Sequence, residues 1–119
     1  MDIFTAIKRN DANTVLDFIR AQSDLNEQDH NGMTPLMVAV DNQNVSIVQL
    51  LLKARVEIDE VDKYGQTALM LAAGRGNMQI VRMLLGAHAD TKIVSKSRAT
   101  AHEFANENGH KDIAALLRK

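Results

Sequence analysis

The chain has 119 residues, enough for one ordinary domain, of which 45% are apolar and only 3% aromatic. Fourteen basic residues against fifteen acidic ones leave a net charge of −1, a balance that steers the protein neither to nucleic acid nor to an anionic membrane. There is no cysteine, which excludes disulfides and thiolate metal sites.

A core without aromatics must be built from Leu, Ile, Val, Ala and Met, and that favours helices over a sandwich. No apolar run approaches the length of a membrane span. The first residues, Met1-Asp2-Ile3-Phe4-Thr5-Ala6-Ile7-Lys8-Arg9, lack the basic start and long apolar stretch of a secretion signal. The expected setting is cytoplasmic.

Residues 1–28 read as two helices, roughly Asp2–Lys8 and Ala12–Ala21, with Ile3, Ala6, Ile7, Val15, Phe18 and Ile19 facing inward. Asp11, Asn13, Asp17 and Arg20 keep the outer side wet. From Asp29 a pattern begins that returns 33 residues later: Asp29-His30-Asn31-Gly32-Met33-Thr34-Pro35-Leu36-Met37 becomes Asp62-Lys63-Tyr64-Gly65-Gln66-Thr67-Ala68-Leu69-Met70. The same offset sets Ser95–Ala101 in a third copy, with Thr100 under Thr67. A period of this size means stacked units that cannot bury an apolar face alone.

Each copy follows one plan. A polar start and a glycine free to take positive φ make a turn. Thr34 or Thr67 then caps a short helix with its hydroxyl, and Pro35 fits the first helical position, where an N–H has no partner. A second helix follows, Val45–Ala54 in one copy and Met78–Ala87 in the next. Ile47, Val48, Leu51 and Leu52 face inward in the first of these, and Ile80, Val81, Leu84 and Leu85 in the second. Gly74-Arg75-Gly76-Asn77 reads as the break between two helices, since the third glycine and the preceding strand of a phosphate loop are missing. The last pair is expected at Ala101–Glu107 and Lys111–Arg118, with Ile113, Leu116 and Leu117 inward.

These residues resemble the ankyrin repeat. Thr34-Pro35-Leu36, Thr67-Ala68-Leu69, the Ile-Val-x-x-Leu-Leu runs at Ile47 and Ile80, Ala89-Asp90, and Asn108-Gly109-His110 match its pattern. The resemblance implies an all-α repeat fold, an ankyrin solenoid of paired antiparallel helices joined by β-hairpin-like turns. It implies a capping repeat at 1–28, repeats at 29–61 and 62–94, and a second capping repeat at 95–119.

The departures from the pattern carry information. Met37, Met70 and Glu103 replace the family's histidine, which bonds to the turn, so less rigid hairpins are expected. Gln22, Arg55 and His88 replace the glycine that ends the second helix. A left-handed non-glycine residue costs about 1 kcal/mol. Arg98 stands in place of the last turn glycine and His102 in place of a leucine, so the last copy is expected to be the most mobile.

The resemblance implies a non-catalytic protein–protein interaction module, an adaptor or an inhibitor. It would act as a monomer with a protein partner and without cofactor, metal, nucleic acid or membrane. In the family, hairpin tips and first helices line a concave groove. Carried over, that groove offers His30, Asn31 and Met33, then Lys63, Tyr64 and Gln66, then Lys96, Ser97 and Ala99 at the tips. The ends of the first helices add Lys8, Arg9, Asp41, Asn42, Arg75, Glu107 and Asn108. Charges alternate along this series, so a polar, selective contact is expected. Tyr64 and Arg75 head it, because tyrosine and arginine dominate binding hot spots.

The competing reading is a metal-dependent enzyme or small-molecule binder using His102, Glu103 and His110. His102-Glu103-Phe104-Ala105-Asn106 falls one histidine short of a zinc helix, and the other histidines are scattered among the copies. Lys92, Lys96 and Arg98 read as a solvated basic turn. Asn44-Val45-Ser46 is a sequon without a secretion signal, and Asn26 resembles an asparagine that some ankyrin proteins carry hydroxylated.

Overall fold

The structure, a computed structural model, describes residues 1–118. Eight α-helices are found among them: α1 (Ile3–Lys8), α2 (Ala12–Arg20), α3 (Pro35–Asp41), α4 (Val45–Lys53), α5 (Ala68–Arg75), α6 (Met78–Gly86), α7 (Ala101–Glu107) and α8 (Lys111–Leu117). Consecutive helices pack in pairs: α1 on α2, α3 on α4, α5 on α6 and α7 on α8. The first helices also touch along the stack, α1 to α3 to α5 to α7, and α2, α4 and α6 form a second row. The result is a block of 38 × 25 × 22 Å.

No helix exceeds nine residues, a length that is marginal for an isolated helix in water. Tertiary burial has to hold them. Leu36, Met37, Val40, Ile47, Leu51, Leu69, Met70, Ile80 and Leu84 are all essentially inaccessible to solvent. Of the inward residues read from residues 1–28, Ile3, Ala6, Ile7 and Val15 are buried, while Phe18 and Ile19 are only half-covered.

The starts of the first helices are alike. Thr34, Thr67 and Thr100 each accept a hydrogen bond through Oγ1 from the backbone N–H three residues on, at 3.2, 3.2 and 3.3 Å. The return bond differs. In α5 the Thr67 N–H donates to the Met70 sulfur at 3.5 Å, and in α7 the Thr100 N–H donates to Glu103 Oε1 at 3.0 Å. Met70 and Glu103, read from sequence as losses, therefore close capping boxes of their own.

The turn before each capped helix is also built three times. Asp29 N donates to Met33 O, Asp62 N to Gln66 O and Ser95 N to Ala99 O, at 2.9, 3.0 and 3.0 Å. The turns are laddered: Lys63 N donates to Asn31 O and Lys96 N to Tyr64 O, both at 3.0 Å. Gly32 and Gly65 are needed for two reasons. Their φ angles are +77° and +75°, and a Cβ on either would lie 2.9 Å from the backbone nitrogen of the next hairpin. Arg98, at φ +68°, shares only the first constraint, since no further hairpin follows it among the described residues.

Gln22, Arg55 and His88 take the left-handed conformation expected of them, and Asn10 and Gln43 join them at the ends of α1 and α3. Gly74-Arg75 is where a helix boundary differs most from the sequence reading; the other stated ends agree to within one residue. Both residues belong to α5, which ends only at Gly76 with φ +77°. A single glycine is tolerated in a helix that is packed on its neighbours.

Two outcomes are expected from these constraints. Gly65→Ala combines left-handed strain with a backbone collision and lowers unfolding free energy by about 1–3 kcal/mol, whereas Arg98→Gly raises it by up to about 1 kcal/mol. Urea denaturation of the two variants checks the opposite signs. The second concerns acid. The carboxylate of Asp11 accepts from the Thr14 hydroxyl and the Thr14 N–H at 2.6 and 3.1 Å, and these bonds hold its pKa below the ordinary 3.8. Its stabilisation of α2 is complete above that ordinary value and is lost as pH falls towards the lowered one. Protection factors of the α2 amides, corrected for intrinsic exchange at each pH, are expected to fall below about pH 4 in the wild type and to lose that component in Asp11→Asn.

Candidate interaction groove

The hairpin tips are shaped by acidic side chains turned inward. Asp29 Oδ1 accepts from the N–H groups of Asn31 and Met33 at 2.8 and 2.9 Å, and Asp62 Oδ1 from those of Tyr64 and Gln66, both at 2.9 Å. Ser95 takes the same place in the third tip, its Oγ accepting from Ala99 N at 3.3 Å. Each carboxylate thus forces the residues after it outward. His30, Lys63 and Lys96 are exposed, and Tyr64 is 57% exposed, with Lys63 Nζ 5.2 Å from its ring centre. A cation at this distance over a tyrosine face is attracted by the ring quadrupole.

Behind the tips lies a depression of about 280 Å³ whose wall includes Asn31, Met33, Tyr64 and Gln66. A second, of about 370 Å³, runs deeper along α5 and α7 and includes Arg75, Phe104 and Asn108. Asp41, Gln66 and Leu71 line both, so the two form one continuous groove. The structure therefore brings together Asn31, Met33, Asp41, Tyr64, Gln66 and Arg75. His30, Lys63 and Lys96 stand on the tips beside the groove, and Asn42, the exposed C-cap of α3, lies off it. Ala99, read as a tip residue, is buried. Met33 is half-buried against the core, not a free contact.

Two features of the groove were missed from sequence. Its floor is apolar: Leu71 and Phe104, 33 residues apart, are half-buried side chains that line it. The signal available was their shared register in the two copies, one turn into each first helix.

The second feature is charge. Arg75 Nη2 lies 3.0 Å from Asp41 Oδ1, and its Nε donates to the same oxygen at 3.1 Å. The alternation of sign expected along the groove therefore closes on itself at this step, because α3 and α5 are neighbours in the stack. The Asp41 and Arg75 side chains are 35% and 52% exposed, so water weakens the pair.

The residues of the metal reading do not converge. His102 Nδ1–H donates to Ala114 O at 2.7 Å, His110 Nε2–H donates to Gly74 O at 3.1 Å, and Glu103 belongs to the α7 capping box. Among the described residues no three His, Asp or Glu side chains are grouped so as to hold a metal ion. The sequon residue Asn44 is half-buried and uses its amide nitrogen to reach Ile7 O at 2.8 Å, tying the second helix pair to the first. Asn26 likewise bridges units, its Oδ1 accepting from Glu57 N at 2.8 Å.

Stacked helix pairs, laddered hairpins and a groove beneath their tips define a class of repeat scaffold. A family model for three ankyrin repeats matches residues 3–96 and, in an overlapping second match, 54–119, so this chain belongs to the ankyrin repeat family. Members of that family generally mediate protein–protein interaction and are typically not enzymes. Comparison with curated protein sequences gives no match. No helix among the described residues is long and apolar enough to cross a membrane.

A double-mutant cycle on Asp41→Ala and Arg75→Ala is expected to give a coupling of about 0.2–1 kcal/mol that shrinks in high salt, the range for an exposed pair. Thermal denaturation of the four proteins measures it.

Proposed function

We propose that this chain is a non-catalytic protein-interaction module, an adaptor or inhibitor, that holds a segment of a partner protein in the groove between its hairpin tips and its first helices. The supporting observation is the groove's composition. An apolar floor of Leu71 and Phe104 lies beside a polar rim of Asn31, Gln66, Asn108 and the Asp41–Arg75 pair, with Tyr64 standing exposed at the edge. Protein interfaces combine a desolvated apolar centre with such a rim, and tyrosine and arginine carry much of their energy.

In this reading His30, Asn31, Met33, Lys63, Gln66 and Lys96 shape one flank, Asp41 and Arg75 the other, and Asn42 stands outside the groove beside Asp41. Residues 1–28 and 95–119 act as caps around the two inner units, 29–61 and 62–94, and the module works as an intracellular monomer. His102, Glu103 and His110 serve the scaffold, each through a hydrogen bond described above.

Tyr64 and Arg75 are exposed enough to be removed without loss of the fold. Affinity capture from lysate is expected to retain a partner on the wild type and to lose most of it on Tyr64→Ala/Arg75→Ala, with unchanged circular dichroism. A partner held equally by both proteins would refute the groove assignment.

A further inference from the structure

At the far end of the stack a second depression, of about 250 Å³, is walled by Thr91, Lys92, Thr100, His102, Leu117 and Arg118. Every ionisable side chain in that wall is a base, in a protein whose net charge is −1. The 33-residue register shows what has been exchanged there. One copy earlier the same positions hold Ile58, Asp59, Thr67, Leu69, Leu84 and Leu85. Leu69 and Leu84 are buried, Ile58 and Leu85 pack against the core, and Asp59 Oδ1 accepts a hydrogen bond from Asp90 N at 3.0 Å.

In the last copy Leu69 gives way to His102, Leu85 to Arg118, Ile58 to Thr91 and the acceptor Asp59 to the cation Lys92. A face in contact with water asks only for polarity, and either sign would serve. In place of three apolar side chains and one acid stand an imidazole, a guanidinium, a hydroxyl and an ammonium group. His102 is also oriented: its Nδ1–H is fixed on Ala114 O, which leaves Nε2 as the edge not tied to that carbonyl. Lys96 and Arg98 stand exposed on the adjoining hairpin and add to the same field. Two acids flank this wall, and each is held by a neighbour: Asp90 Oδ1 accepts from Lys92 N at 2.9 Å, and Glu103 Oε1 accepts from Thr100 N and Oγ1 at 3.0 and 3.2 Å.

We infer that this end pocket binds a phosphoryl group, free or esterified on a protein, with Lys92 and Arg118 as charge partners and the Thr91 hydroxyl as a hydrogen-bonding neighbour, while Thr100 and His102 form the wall behind them. Arginine and lysine bond charged phosphoryl oxygens more strongly than neutral donors do. The site is separate from the groove, so it stands or falls independently of the function proposed above.

The test is an amide-resonance titration of the full chain at pH 7 with sodium phosphate, with sodium acetate and chloride at matched ionic strength as controls, and with a phosphoserine peptide beside its unphosphorylated form. Saturable shifts at Thr91, Lys92, Thr100 and His102 with phosphate or the phosphopeptide are expected, weakened about tenfold or more in Lys92→Ala/Arg118→Ala. Which of the two binds more tightly tells a free ion from an esterified one. Shifts no larger than those in chloride, equal binding of acetate, or undiminished binding by the double variant would each overturn the site. Both substitutions are of exposed side chains, and an unchanged amide spectrum elsewhere reports that the variant is folded.

Discussion

Two backbone hydrogen bonds, Lys63 N to Asn31 O and Lys96 N to Tyr64 O, set the spacing of this molecule. They bring successive hairpins so close that a single carbon atom cannot be added at Gly32 or Gly65. Everything behind the tips inherits that spacing. The first helices are delivered to one row, their partners to a second, and the apolar faces of helices too short to stand alone meet across the units. Stability is accordingly a property of the stack and of its nearest-neighbour contacts.

The local devices serve the same end with varied chemistry. Asp29, Asp62 and Ser95 shape the three tips, the first two with a carboxylate and the last with a hydroxyl. Thr34, Thr67 and Thr100 start three helices, while the reciprocal bond comes from a sulfur in α5 and a carboxylate in α7. Methionine sulfur and a glutamate carboxylate can each accept from the cap N–H, and α3, where Met37 makes no such bond, starts on its threonine hydroxyl alone. Variation of this kind leaves the scaffold intact and frees the outward tip residues to differ: His30, Lys63 and Lys96 in one row, and Asn31, Tyr64 and Ser97 in the next.

The groove illustrates how shape arises between units. Its floor comes from α5 and α7, its rim from hairpins and from α3, and the ion pair across it joins residues 34 positions apart. A charge drawn from one helix is answered by the next, so the electrostatic character of the surface is set by neighbours and not by a run of sequence. The same logic makes the end of the stack distinctive. Where an inner unit holds Leu69 and Leu85 in or against the core, the last holds His102 and Arg118 in the wall of a depression.

The amino-acid sequence alone determined the repeat, the family it resembles, the helix pairs to within a residue or two, the threonine caps, and the left-handed sites at Gln22, Arg55, His88 and Arg98. These follow from local chemistry that recurs every 33 residues: a turn residue, a hydroxyl, an apolar stripe. Tertiary structure alone decided that Gly74 and Arg75 stay helical, that Ala99 is buried, that Arg75 answers Asp41, that Leu71 and Phe104 floor the groove, and that Gly32 and Gly65 are locked while Arg98 is not. Each of those depends on what the adjacent unit brings within a few ångströms. A one-dimensional period names the units, and only their stacking fixes which atoms face each other.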